Sequence, residues 1–290
     1  MVKYNEHSFK RANLNGNHII SSSLKQFDNK VNTLNYSLKI PVNGTEYYSV
    51  DGIKHKVKPG FFVLTKPGQE VHAVVDSNTN VDSRCIYIDN SLIEDGAKSI
   101  LQNDIFADKT IKSRPNFISG KYNIGNHHLG GVLNNIFSKY NNDFSFNEEF
   151  YHQLALNLML HQFGVEKALS SINAHSFATK TELYFRLETA KTYILDNYRE
   201  DIRLCDVSSN SNISKFHLIR VFKDVYGLTP YGFLLARRLE KACELLKRNP
   251  DLSIEDIALI CGFNQRRTFT KSFMKKYRIT PKLFQKSHIN

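Results

Sequence analysis

No stretch of this 290-residue chain approaches the roughly 18 apolar residues that a membrane-spanning helix requires, which excludes an integral helical membrane protein. The amino terminus, Met1–Lys10, alternates polar and charged residues without the apolar core of a secretory signal, so a cytoplasmic location is expected. Cysteine is scarce: Cys85, Cys205, Cys243 and Cys261 stand far apart, without the paired spacing of a metal site. Reduced thiols account for them, and neither a disulfide framework nor a zinc cluster is expected. Acidic residues are also in deficit, 28 Asp and Glu against 39 Lys and Arg. The imbalance is concentrated. Residues 181–290 hold 20 basic against 12 acidic side chains, a net of +8, whereas residues 1–180 hold 19 against 16, a net of +3. A basic excess alone often serves solubility; gathered in one segment it points to a polyanionic partner.

What is present suffices for two domains, each with its own core. Residues 30–90 have strand character. Val31–Lys39 and Tyr47–Val50 are rich in aromatic and β-branched residues, and Asp51-Gly52 separates Tyr47–Val50 from Ile53–Val57 as a two-residue hairpin signal. Pro59-Gly60 and Pro67-Gly68 bracket the apolar run Phe61–Thr65, and Val71–Val75 and Arg84–Ile88 add two short strands. Strands at this spacing predict an antiparallel sandwich or barrel.

From about residue 91 the period becomes helical. Ile124–Tyr140 and Phe146–Leu169 read as helices, with Phe150, Leu154, Leu158, His161 and Val165 along one stripe of the second. Leu154, Leu158 and Phe163 fit either burial within the chain or a dimer seam, and the seam is preferred. Ser170–Thr181 is polar, small and aperiodic, which predicts a linker over 171–181 between domains at 1–170 and 182–290, with helix resuming at Glu182.

The carboxy-terminal segment says one thing twice. Phe222, Tyr226, Leu228-Thr229-Pro230 and Phe233 recur 51 residues later as Phe273, Tyr277, Ile279-Thr280-Pro281 and Phe284, and Arg220 has Lys271 as its counterpart. Each copy reads as a helix-turn-helix. In the second, Ser253 caps a supporting helix whose buried stripe is Ile254, Ile257, Ala258 and Ile260; Gly262 makes the turn, Phe263 plugs the core and Asn264 caps the next helix. Phe269 and Phe273 then face inward, leaving Gln265, Arg266, Arg267, Thr268 and Lys271 outside. In the first, Leu204 and Val207 serve the supporting helix, Asn212 makes the turn, Ile213 plugs and Ser214 caps. Leu218, Val221 and Phe222 point inward, with Lys215, Phe216, His217 and Arg220 outside. Pro230–Leu246 is one helix of about 25 Å between them, a strut that would set the two second helices about one DNA turn apart. An apolar helical stripe is usually only core. Two copies with matching turns and basic outer faces favour double-stranded DNA, with Arg suited to guanine, Lys to phosphate and Phe216 to a thymine methyl.

These residues resemble the AraC/XylS family of bacterial transcription regulators over about residues 183–287. The strongest part is Ser253-Ile-Glu-Asp-Ile-Ala-Leu-Ile-Cys-Gly-Phe263, continuing through Phe269, Phe273 and Thr280-Pro281 to Phe284. The resemblance implies DNA contacts from Lys215, Phe216, His217, Arg220, Arg266, Arg267, Thr268 and Lys271. The chain departs from the family pattern at Val207-Ser-Ser-Asn-Ser-Asn212, where small apolar residues and a turn Gly are usual, so a more loosely packed first unit is expected. Arg278 stands where Gly is common, and the Arg266-Arg267 pair is unusually basic.

Residues 20–95 are similar to the small cupin-like sensor barrel of many such regulators, through Tyr48-Ser-Val-Asp-Gly52, Lys58-Pro-Gly-Phe-Phe62 and Lys66-Pro-Gly-Gln-Glu-Val-His72, with the helices at 124–170 as the usual dimerisation region. Cupin enzymes hold a metal through a His-x-His pair, a Glu and a later His. Here His55 and His72 stand alone and His127-His128 lies outside the barrel, so no metal, cofactor, catalytic residue or enzymatic activity is expected. Tyr36, Tyr47, Tyr48, His55, Phe62, His72 and Tyr87 are the candidates for a small-effector pocket, with packing an equal reading for each. The expectation is an α+β protein: an amino-terminal antiparallel cupin-like barrel with flanking helices, then an all-α domain of two helix-turn-helix units. Its expected work is transcriptional activation at promoter half-sites as a homodimer beside RNA polymerase, answering a small molecule. Two alternatives stay open, a regulator whose barrel only dimerises and a cupin-type enzyme with an appended DNA-binding domain.

Overall fold

A computed structural model describes residues 10–11, 16–102, 115–126, 129–133 and 147–287. The chain divides into two compact units, Met1–Lys167 and Ala168–Asn290. The first is built on an antiparallel, nearly closed β-barrel of eight strands: β1 (Lys10–Arg11), β2 (His18–Asn32), β3 (Tyr36–Asn43), β4 (Glu46–Val50), β5 (Ile53–Val57), β6 (Phe61–Thr65), β7 (Glu70–Ile88) and β8 (Gly120–Asn123). Strand β7 is the spine. It pairs with β2 along one edge, and on the other with β4 over Val71–Val74 and with β3 over Asp82–Ile88. Strand β6 then joins β3 to β8.

Two strand expectations are corrected. Val31–Lys39 is not one strand, because Thr33 turns the chain: its hydroxyl donates to the Lys66 carbonyl at 2.6 Å and its N–H to the Gln69 carbonyl at 2.9 Å. Val71–Val75 and Arg84–Ile88 are two ends of the single 19-residue β7, whose exposed polar middle hides its continuity in the sequence. The Asp51-Gly52 hairpin forms as expected, with φ of 48° and 83° supplying the two left-handed residues of a tight β4–β5 turn.

Helices α1 (Asn90–Gln102) and α2 (Glu148–Ser170) complete this unit. They approach closely at Gly96, where an added Cβ would lie 3.4 Å from the Ala155 backbone. His161 of α2 stands edge-on to Tyr122, centroids 4.7 Å apart, and Gln162 accepts a hydrogen bond from the Ile118 N–H at 2.7 Å. Leu154, Leu158 and Phe163 are fully buried within the chain, which corrects the preferred dimer-seam reading of these three. Of the expected Ile124–Tyr140 helix, residues 124–126 form a 3-10 turn and 129–133 are helical; residues 127–128 and 134–140 lie outside the described ones, as does the start of the Phe146–Leu169 helix at Phe146.

The second unit is helical: α3 (Phe177–Asp196), α4 (Leu204–Ser211), α5 (Lys215–Tyr226), α6 (Pro230–Arg248), α7 (Ile254–Ile260), α8 (Arg266–Tyr277) and α9 (Pro281–Lys286). Helix α3 begins at Phe177 rather than at Glu182, because the Ser176 hydroxyl caps it by accepting from the Thr179 N–H at 3.0 Å. The aperiodic composition concealed this turn, since Phe177 is exposed and gives no apolar stripe. Thr229 and Thr280 cap α6 and α9 in the same manner, each followed by Pro in the first turn.

The sequence repeat is also a repeat in space. Ring centroids in the Phe222, Tyr226, Phe233 triad lie 4.5, 5.6 and 6.3 Å apart, and those of Phe273, Tyr277, Phe284 lie 4.7, 5.5 and 6.3 Å apart in the same order. Around the second triad Ile254, Ile257, Ala258, Cys261, Phe263 and Phe269 pack against Leu239, Ala242 and Leu246 of the strut. Ile260, expected in that stripe, is exposed, and Cys261 takes its place in the core.

Candidate DNA interface and effector face

Each recognition helix is positioned by a supporting helix and a left-handed turn. In the first unit α4 ends at Asn212 with φ 53°, and the buried Ile213 follows. In the second the turn residue is Gly262 with φ 84°, followed by the buried Phe263. Gly262 is required twice over: the left-handed region disfavours a Cβ, and a Cβ there would meet the carbonyl oxygens of Arg199 and Tyr198 at 2.7 and 2.8 Å. Ser214 precedes α5 as expected. Helix α8 is capped one residue later than expected, at Gln265 instead of Asn264, and neither cap side chain makes the usual hydrogen bond.

Inward, Leu218, Val221 and Phe222 of α5 and Phe269 and Phe273 of α8 are buried. Outward, Lys215, Phe216, Arg220, Arg266, Arg267, Thr268 and Lys271 are all exposed, with Phe216 at 90%. An apolar ring left that open gains nothing from the fold, and it stands among cations. His217 differs from the other candidates. It is half-buried, and its Nε2 is enclosed with no hydrogen-bond partner among the described residues. A shallow groove on α8 is lined by Arg266, Arg267, Thr270, Lys271 and Met274. Thr270 and Met274 were not singled out in the sequence, although they continue the Arg266 row at a spacing of one helical turn; Thr268 lies off this groove. The last turns of α5 and α8 add the exposed Lys223 and Lys275, whereas Lys276 turns to the strut and pairs with Glu240 at 3.5 Å. Two convex helix faces bearing forked and point cations beside exposed apolar groups suit a duplex groove.

In the barrel the seven effector candidates do not share one face. Cross-strand partners lie on the same side of a sheet, so register decides. Tyr48 pairs with His55 and with Ala73, and it packs in a cluster with Val50, Val57, Val63 and Val71 on the inner face. Lys39 pairs with both Cys85 and Val63, which places Lys39, Cys85 and Tyr87 on that face too. Tyr36 and Phe62 turn the other way: Tyr36 meets Phe117 at 4.4 Å, and Phe62 packs toward Tyr122 and His161. Tyr47 is exposed beneath Lys56, and His72 pairs at the surface with Asp28 at 2.7 Å.

The inner face holds a polar group that the sequence did not reveal. Lys39 and Glu46 are each only 6% exposed. The Lys39 ammonium donates to the Cys85 sulfur at 3.3 Å and stands 5.4 Å from the Tyr87 ring centroid and 6.0 Å from that of Tyr48. Tyr48 donates its hydroxyl to Glu46 at 2.7 Å. Burial raises the Glu46 carboxyl above the usual carboxylate range, against the opposing pull of Ser83, Tyr48 and Lys39. Burial, and then the Glu46 charge, push the Tyr48 phenol well above its ordinary value, so it stays a donor. His55 is lowered by burial and by Lys121, which favours neutral imidazole. A thiol is a weak acceptor for an ammonium with three protons, so Lys39 retains donor capacity toward the inside of the barrel.

Barrel and paired helix-turn-helix units together define a two-domain regulator, one part built to hold a ligand and the other to hold DNA. Residues 27–109 match the model of an AraC-like ligand binding domain, and residues 207–287 match that of a helix-turn-helix domain. The chain is 40% identical over 88 residues to the probable transcription factor PqrA of Proteus vulgaris, covering 30% of this chain and 71% of that protein. It is 32% identical over 93 residues to the HTH-type transcriptional regulator MtrA of Neisseria gonorrhoeae, covering 32% of this chain but only 31% of the relative. ToxT from Vibrio cholerae aligns over 96% of this chain and 98% of its own at 14% identity, with a TM-score of 0.38, a likeness too loose to carry an argument. The chain belongs to the AraC family of transcriptional regulators.

Proposed function

We propose that the protein is a cytoplasmic, homodimeric activator without enzymatic activity, whose two recognition helices read promoter half-sites beside RNA polymerase. The observation that carries the reading is the pairing of two like-built outward faces with exposed Arg and Lys on each. In this account Arg266 and Arg267 read base edges, Lys215, Arg220 and Lys271 hold phosphates, and Phe216 lies against a thymine methyl. A small effector sits on the inner face of the barrel and offers a hydrogen-bond acceptor to Lys39, with Glu46, Tyr48, His55 and Tyr87 around it. Its binding shifts the population of DNA-binding arrangements, and so the occupancy of half-sites.

Binding of the full chain to a selected duplex tests the DNA assignment. Arg267→Ala is expected to weaken specific binding by about 1–3 kcal/mol and to relax preference at one base pair. Unchanged affinity together with unchanged sequence preference contradicts that role. For the barrel, a metabolite panel titrated against the full chain is expected to give a ligand whose binding Lys39→Met abolishes. A ligand indifferent to that substitution moves the site elsewhere, and no ligand at all favours a barrel that only dimerises.

A further inference from the structure

A short segment that leads into the first helix-turn-helix unit packs against both the strut and the turn of the second unit. Residues 197–203 connect α3 to α4 and so lead directly into the first unit. This segment is gripped on two sides. From one side the second unit's turn presses on it, since Gly262 approaches the Tyr198 and Arg199 carbonyls so closely that a Cβ would not fit. From the other, Arg238 of the strut α6 reaches across, its Nε donating to the Tyr198 carbonyl at 2.6 Å and its Nη2 to the Glu200 carbonyl at 2.8 Å. The same guanidinium stands 5.9 Å from the ring centroid of Phe263, the plug of the second unit. Arg237 adds a second guanidinium 5.7 Å from the Tyr198 ring centroid.

We propose that Arg238 is a positioning residue for DNA recognition, which fixes the spacing and phase between the two recognition helices without touching DNA. The planar fork is suited to this. It binds two carbonyls of one segment while its face lies toward an aromatic ring of the other unit, so one side chain constrains both. A ligand gripped at two sites gains affinity only when the connection holds both sites in register. A loose joint would let each helix find a half-site while forfeiting the preference for one separation. Arg238 therefore governs which spacing of half-sites the chain selects, whereas Arg266, Arg267 and their counterparts govern which bases it selects.

The inference rests on the reading that both helices contact DNA, and the test separates the two. Duplexes are selected from a random library with the full native chain. A series is then made from the selected sequence, with the two half-sites moved apart by up to half a helical turn, together with duplexes carrying one half-site. The native chain is expected to lose affinity at least about tenfold across the series. Arg238→Met is expected to flatten that profile to about twofold while leaving single-half-site affinity within about twofold of native. Arg238→Lys, whose single ammonium cannot bridge both carbonyls in the same plane, is expected to fall between them, and it supplies the readout if the methionine variant does not fold. A native spacing profile in Arg238→Lys or Arg238→Met overturns the inference, as does a parallel loss on single and paired half-sites. A native chain indifferent to spacing overturns the two-helix reading and the inference with it.

Discussion

In the first helix-turn-helix unit, Tyr226 donates its hydroxyl at 2.8 Å to Glu188, a buried carboxylate on α3 that lies 3.5 Å from Lys191. In the second, the equivalent Tyr277 shares a hydrogen bond with the thiol of Cys243 on the strut, a much weaker partner than a carboxylate. The supporting helices differ in the same sense. The second buries Ile254, Ile257 and Ala258, whereas the first buries Val207 and Ser211 and satisfies its hydroxyls locally, Ser211 to the Val207 carbonyl at 2.7 Å and Ser208 to that of Ile213 at 2.6 Å. One aromatic triad has thus been secured in two ways, by a hydrogen bond to an ion-paired carboxylate in one unit and by apolar packing with only a weak thiol partner in the other. Buried hydrogen bonds demand their partners, while apolar contacts demand volume. The two units should therefore fail under different substitutions.

The largest contrast is expected at the turns. Gly262→Ala combines a left-handed alanine with a collision against two carbonyls, and should destabilise the helical unit by about 3 kcal/mol, against about 1 kcal/mol for Asn212→Ala, as read by chemical denaturation. Equal losses would mean that the second turn is no tighter than the first. Next come the tyrosines. Tyr226→Phe removes a donor from a buried carboxylate and should cost about 2 kcal/mol, while Tyr277→Phe should cost under about 1 kcal/mol. The reverse order would undo the polar-versus-apolar distinction. The smallest effect is a gain. Arg278 caps α8 at φ 61°, where Gly227 caps α5 at φ 73°, so Arg278→Gly should stabilise by about 1 kcal/mol in thermal melts.

The sequence made the carboxy-terminal unit legible because its repeat fixes helix, turn and plug residues at known offsets. Even there the cap at Gln265 and the exposed Ile260 depended on one-residue shifts that periodicity does not resolve. An unglycined left-handed stop at Arg278 was legible only as a departure from pattern. The barrel was legible as strands but not as faces. Tyr47 and Tyr48 are neighbours in sequence and point to opposite sides, and only the pairing of β4 with β5 and β7 says which is inside. Lys39 and Glu46 carried no signal at all, since a charged residue in a strand ordinarily faces water. Burial of the pair becomes visible only when β3, β4 and β7 are brought together.

Hydroxyl-radical footprinting on a selected duplex tests the central claim most directly, that both units read DNA. Two protected patches about one helical turn apart are expected, roughly 34 Å. Paired substitution of Lys215 and Arg220 by Ala should erase one patch, and paired substitution of Arg266 and Arg267 by Ala the other. A single patch from the native chain, or the loss of both patches with either pair, would contradict the account.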